Sequence, residues 1–161
     1  MMNIGRHLRV LNGKEIKDIR KFLFDQFGFD ELLDLVFLRS NKDKVYVINR
    51  EVEFVNIRDF WIDSAGLYFG KIQPDGFRLS VEGTQLIGNF CKKNVVEVSL
   101  EQKHAWLKGF EFEVDIKDDI FVLLKSGDDF LGCAKVKNEK VLNSLPKSRR
   151  LHVVNENLEE N

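Results

Sequence analysis

Two cysteines, two prolines, three histidines and no long run of apolar residues stand in a chain of 161 residues, and each scarcity removes a class of protein. Cys91 and Cys133 lie too far apart for a CxxC zinc pair and are too few for a disulfide scaffold. No stretch approaches the length that crosses a membrane. The first ten residues, MMNIGRHLRV, lack the apolar centre of a signal peptide. The expected location is therefore cytoplasmic, with no membrane partner. The eleven glycines nowhere form a strand, GxGxxG, helix unit. His7, His104 and His152 are scattered without HExxH or HxH spacing, so neither a catalytic nor a metal role is expected of them. No internal repeat or low-complexity segment occurs.

What remains is a globular composition, 43% hydrophobic and 32% charged, enough for a core beneath a solvated surface. Ile16, Ile19, Leu23 and Phe27 make one apolar stripe on a helix from Asn12 to Phe27, with Asn12 as cap and Gly28 as terminator. The opposite face carries Lys14, Lys17, Arg20 and Lys21, read as solvated. Val36–Arg39 and Lys44–Ile48 flank the turn residues 40–43, and Leu67–Ile72 and Phe77–Leu79 flank Gln73-Pro74-Asp75-Gly76, so two hairpins are expected. Ser80 opens a helix over Val81–Phe90. Val95–Val98 reads as a strand, and Ser99-Leu100-Glu101-Gln102 is a capping box opening a helix that ends near Gly109. The apolar pattern breaks at Lys92-Lys93-Asn94. The chain thus reads as α+β, with an N-terminal mixed α/β domain over 1–91, a second domain over 92–154, and a disordered acidic tail over 155–161.

The most specific block is FVLLKSGDDFLGCAKVKNEKVLNSLPKSRR, Phe121 to Arg150. Phe121–Lys125 and Phe130–Val136 are runs of β-formers joined by Ser126-Gly127-Asp128-Asp129, which predicts an antiparallel pair. Alternation along the second run places Phe130, Gly132, Ala134 and Val136 on one face, and Leu131, Cys133, Lys135 and Lys137 on the other. Lys140–Leu142 can add a third short strand. At Leu145-Pro146 the chain must leave any regular element, so Lys147, Arg149 and Arg150 follow a rigid turn.

These residues resemble the C-terminal PUA-like RNA-binding region of the Fmu/Sun-type RNA cytosine 5-methyltransferases. Those sequences carry a Gly-x-(Gly/Ala)-Lys-Val strand followed by Asn-x-x-Pro-Lys-x-x-Arg, here Gly132, Ala134, Lys135, Val136, Asn143, Pro146, Lys147 and Arg150. A second similarity runs from Ala65-Gly66-Leu67-x-x-Gly70-Lys71 through Phe77-Arg78-Leu79, so the resemblance covers Ile62 to Arg150. It implies that the second domain is a small PUA-like β-barrel. The family's catalytic domain, with its glycine-rich cofactor loop and proline-cysteine nucleophile, has no counterpart here. The expectation is a binding module, not an enzyme, with no cofactor.

Charge is unevenly placed although the net is only −1. Leu131–His152 holds six basic residues against one acidic, while Glu97–Phe130 holds nine acidic against four basic. A charge run is ordinarily a solvated surface; the resemblance turns this one towards phosphate. The candidate RNA-binding residues are Gly132, for close backbone approach, Lys135 and Lys137 as a track, Asn143, and Lys147, Arg149 and Arg150 as phosphate contacts. Trp106 is expected in the core, and so is Trp61 beside Phe60, although a stacking platform is the alternative there. Glu111, Glu113 and Asp115 are read as a solvent face rather than a cation site. The expected partner is structured RNA, ribosomal RNA or its precursor first and tRNA second, in ribosome biogenesis or RNA modification. The rival expectation is a protein-interaction module that docks in trans on an RNA methyltransferase, with pre-ribosomal proteins as further possible partners.

Overall fold

A computed structural model describes residues 3–4, 8–50 and 66–151. Phe60, Trp61, His7, His152 and the tail over 155–161 lie outside the described residues.

Helix α1 (Gly13–Phe27) forms where its apolar stripe is expected, burying Ile19, Leu23 and Phe27. The Asn12 side chain accepts from the Glu15 backbone N–H at 2.9 Å, and Glu15 Oε2 accepts from the Asn12 N–H at 3.0 Å, a reciprocal capping box. Gly28, at φ 64°, ends the helix in the left-handed conformation and donates to the Phe24 carbonyl. Lys14, Lys17, Arg20 and Lys21 face solvent.

The first sheet is an antiparallel meander in chain order: β1 (Asn3–Ile4), β2 (Leu8–Val10), β3 (Leu35–Arg39), β4 (Lys44–Asn49), β5 (Leu67–Gln73) and β6 (Gly76–Leu79). Both expected hairpins, β3/β4 and β5/β6, are present. Ser80 then caps α2 (Val81–Ile87), whose last turn tightens into a 3-10 turn over Gly88–Phe90.

The second sheet holds β7 (Val95–Glu97), β8 (Phe112–Glu113), β9 (Phe121–Ser126), β10 (Asp129–Lys137) and β11 (Lys140–Val141), in the order β7-β9-β10-β11-β8. It curls into a half-barrel, giving an α+β fold. β9, β10 and β11 pair antiparallel as expected. β7 instead lies parallel to β9, which it can do because α3 (Leu100–Leu107) and the following segment supply the crossover. The capping box of α3 is formed by Ser99 and Gln102.

One core joins the two sheets. Leu23 and Phe27 of α1, Phe69, Phe77 and Leu79 of the first sheet and Ile87 of α2 pack with Phe121, Leu123, Phe130 and Cys133 of the second. On the other side of β9, Val122 and Leu124 pack with Trp106, Ala134, Val136, Val141 and Leu145. The unbroken apolar run Phe121-Val122-Leu123-Leu124 is thus a strand buried on both faces. Fully burying each phenylalanine contributes about 1.5–3 kcal/mol. Polar bonds reinforce the junction. Gln26 donates to the Phe77 carbonyl at 2.8 Å and accepts from its N–H at 2.7 Å, while Asn94 donates to the Gln26 carbonyl at 2.6 Å.

The expected alternation in β10 is corrected by a bulge. Phe130 pairs with Lys125 but Gly132 with Leu124, leaving Leu131 as the extra residue. Phe130 and Cys133 consequently enter the shared core, while Leu131, Ala134 and Val136 pack in the second one. Gly132 carries the cost of the bulge at φ 148°, a conformation that disfavours any side chain.

Candidate nucleic-acid interface

Beyond the bulge, parity decides where the basic residues go. Lys135 continues the Cys133 face and so points towards the first sheet. Its Nζ meets Asp75 Oδ2, in the β5/β6 turn, at 2.8 Å and donates to the Asp119 carbonyl at 3.3 Å, with the Phe121 ring centroid 4.7 Å away. Lys137, two residues on, is exposed.

The segment after β11 is fastened by its own side chains. Asn143 Nδ2 donates to the carbonyls of Trp106 at 2.9 Å and Phe110 at 3.0 Å, while its Oδ1 accepts from the Leu145 N–H at 2.9 Å. Ser144 Oγ donates to the Cys133 carbonyl at 2.8 Å and Leu145 is buried. Pro146 then opens a 3-10 turn, Lys147–Arg149. Arg149 pairs with Glu82 of α2. Arg150 Nε donates back to the Leu145 carbonyl at 3.0 Å.

The seven expected site residues therefore divide. Lys135 and Arg149 are ion-paired to the N-terminal unit, and Arg150 is half-buried against backbone. Lys137 and Lys147 are exposed and hold no carboxylate partner among the described residues. The five cations thus do not form one free patch. Asn143 spends both amide hydrogens on the end of α3, so it shapes the turn and has no donor left for a ligand. Gly132 is corrected as well: it is buried, and a Cβ there would sit 3.0 Å from the Trp106 indole, so its backbone is enclosed rather than open to close approach.

Between the two units runs a cleft of about 460 Å³, where Arg78 of β6 faces Lys135, Lys137, Asn143 and Ser144. A smaller cavity of about 190 Å³ adjoins it, again with Arg78 in its wall, alongside Lys44, Tyr68, Ser80, Ser144 and Pro146.

Residues 93–151 match the family model of the methyltransferase RsmF PUA domain. The C-terminal unit is PUA-like. Residues 8–81 match the NIP7/UPF0113 pre-PUA domain, so the order is pre-PUA then PUA, with the cleft between them. No curated protein matches the chain. Neither matched domain is a catalytic one.

The pre-PUA unit supplies cations that sequence reading did not assign to the site. Lys44 and Arg78, like Lys137 and Lys147, have no carboxylate partner among the described residues. A signal for Arg78 was available: it stands between buried Phe77 and Leu79 on a strand, so alternation turns it outward. Tyr68 is half-buried beside it. Burial pushes its hydroxyl pKa up, against the lowering effect of the Arg78 guanidinium. Lys135 holds the Asp75 carboxyl below its ordinary value, more than burial raises it.

The cysteines of the PUA-like unit and its approach carry no sign of activation. Burial raises Cys133 to about 12 and Cys91 to about 11, so both are thiols at neutral pH. Glu111, Glu113 and Asp115 are exposed, and no cluster of three or more metal-binding side chains occurs among the described residues.

Proposed function

We propose that this protein binds structured RNA, ribosomal RNA or its precursor before tRNA, in ribosome biogenesis or RNA modification. The observation that carries the reading is the cleft: it lies between units that match a pre-PUA and a PUA domain, and Arg78 and Lys137, one from each unit, line it without carboxylate partners among the described residues, while Lys135 there is paired with Asp75. Lys137 and Lys147 of the PUA-like unit and Lys44 and Arg78 of the pre-PUA unit are the phosphate contacts. Lys135 and Arg149 brace the two units through Asp75 and Glu82. RNA crosslinking with sequencing from the native cell tests the proposal and names the RNA. Enrichment of ribosomal RNA supports it, and crosslinks no denser than those of an unrelated protein overturn it.

A second reading, docking in trans on an RNA methyltransferase, has its own observation. Phe110 is exposed and stands in sequence beside the exposed acidic residues Glu111, Glu113 and Asp115. Co-purification with a methyltransferase that Phe110→Ser abolishes, together with no direct RNA crosslinks, would favour it.

A further inference from the structure

The small cavity beside the cleft has a chemistry of its own. One wall is the Tyr68 ring, with Tyr46 against it at 5.4 Å between centroids. Facing it are Ser144 and Pro146 of the PUA-like unit, and Trp106 and Cys133 also line the cavity. Lys44 and Arg78 line it too, and neither is tied to a carboxylate among the described residues. Glu82 is the acidic group in the lining, and Arg149 neutralises it. The Ser144 hydroxyl donates to the Cys133 carbonyl, leaving its lone pairs to accept, whereas the Ser80 hydroxyl donates to the Tyr68 carbonyl and accepts from the Gly83 N–H as the cap of α2. Lys44 rests over the Tyr68 ring at 5.6 Å, a contact weak enough to yield that face.

We propose that this cavity takes one unpaired RNA nucleotide, with the base against Tyr68 and the adjoining phosphate on Lys44 and Arg78. This inference rests on the RNA-binding reading and adds the element recognised: a bulged or looped-out base rather than plain duplex. A volume of about 190 Å³ admits a single base. An aromatic wall supplies stacking that tolerates any base. Lys44 and Arg78 share that lining, within reach of the phosphate adjoining such a base. Ser144 offers an acceptor to a base edge.

The test uses the full chain and two RNA hairpins that differ only in whether one 2-aminopurine is bulged or paired. Fluorescence anisotropy gives affinity, and 2-aminopurine emission reports stacking. The bulged hairpin should bind roughly tenfold tighter, with its emission quenched on binding. Tyr68→Leu should erase both the preference and the quench, leaving the paired hairpin bound within about twofold. Tyr68→Phe, which keeps the ring, should retain both and controls for a fold defect. Equal binding of the two hairpins, or a preference that survives Tyr68→Leu, overturns the nucleotide pocket while leaving RNA binding standing. Failure of both hairpins to bind overturns the RNA reading and the pocket with it.

Discussion

Trp106 lies across Gly132: the indole leaves only 3.0 Å for a Cβ on the glycine, and its Nε1 donates to the carbonyl of the extra residue Leu131 at 3.2 Å. The bulge in β10, the end of α3 and the fastened segment after β11 therefore meet at one tryptophan. From that junction follow the direction of Lys135 and the position of the 142–150 turn.

Substituting Gly132→Ala should destabilise the protein by about 1–3 kcal/mol, because the methyl group meets the indole and the φ of 148° disfavours a side chain. Urea unfolding should show a lower midpoint with an unchanged slope. A midpoint equal to the parent's would mean that the bulge does not need glycine.

Asn143→Ala should cost about 1–3 kcal/mol, since it removes two side-chain hydrogen bonds, one to the Phe110 carbonyl and one to the Trp106 carbonyl, which keeps only the Gly109 N–H. Asn143→Asp should be no better, because a carboxylate cannot donate to them. Thermal melting of both variants checks this. An aspartate variant as stable as the parent would show that the two amide hydrogen bonds contribute nothing.

Much of the fold was legible because it is local. The Asn12 and Ser99 capping boxes, the Gly28 terminator and the turns after Arg39, Gln73 and Ser126 are set by neighbours in sequence. The bulge was not legible, because period-2 alternation assumes an unbroken ladder, and Gly132 reads equally well as a packed strand glycine. The site was half legible for a related reason. Clustered basic residues after Pro146 mark a charged turn, but whether each cation is free depends on distant carboxylates: Glu82 takes Arg149, and Asp75 takes Lys135. Nothing local to Lys44 links it to Ser144, 100 residues away in sequence; only the folded cavity does.

Acid should weaken the fold through Glu15. Its hydrogen bond to Arg9 Nη1, at 2.8 Å, holds its pKa down at about 2 against an ordinary 4.5. A folded-state pKa below the unfolded one gives stability that is full above pH 4.5 and is lost as pH falls towards about 2. Melting temperature should therefore drop more between pH 5 and roughly pH 2.5 in the parent than in Glu15→Gln. Equal drops would show that this ion pair has no part in acid sensitivity.

Alkali should act through the cysteines with the opposite sign. Both thiols have folded pKa values above the ordinary 9.0, about 11 for Cys91 and about 12 for Cys133. Their contribution is complete below pH 9 and is lost above it, as the unfolded chain ionises first. In the native protein at pH 8, iodoacetamide should modify Cys133 far more slowly than in urea, with Cys91 between, as read by mass spectrometry. Rapid native labelling of Cys133 would contradict its burial.

The most direct test of RNA binding across the cleft is a salt titration of affinity for a structured ribosomal RNA fragment. If about three of Lys44, Arg78, Lys137 and Lys147 neutralise phosphates, log affinity against log salt should have a slope of about −2 to −3. Lys137→Ala with Lys147→Ala should flatten it by more than one unit without changing the melting temperature, since both side chains are exposed. A salt-independent affinity, or a double variant with the parent's slope, would contradict the account.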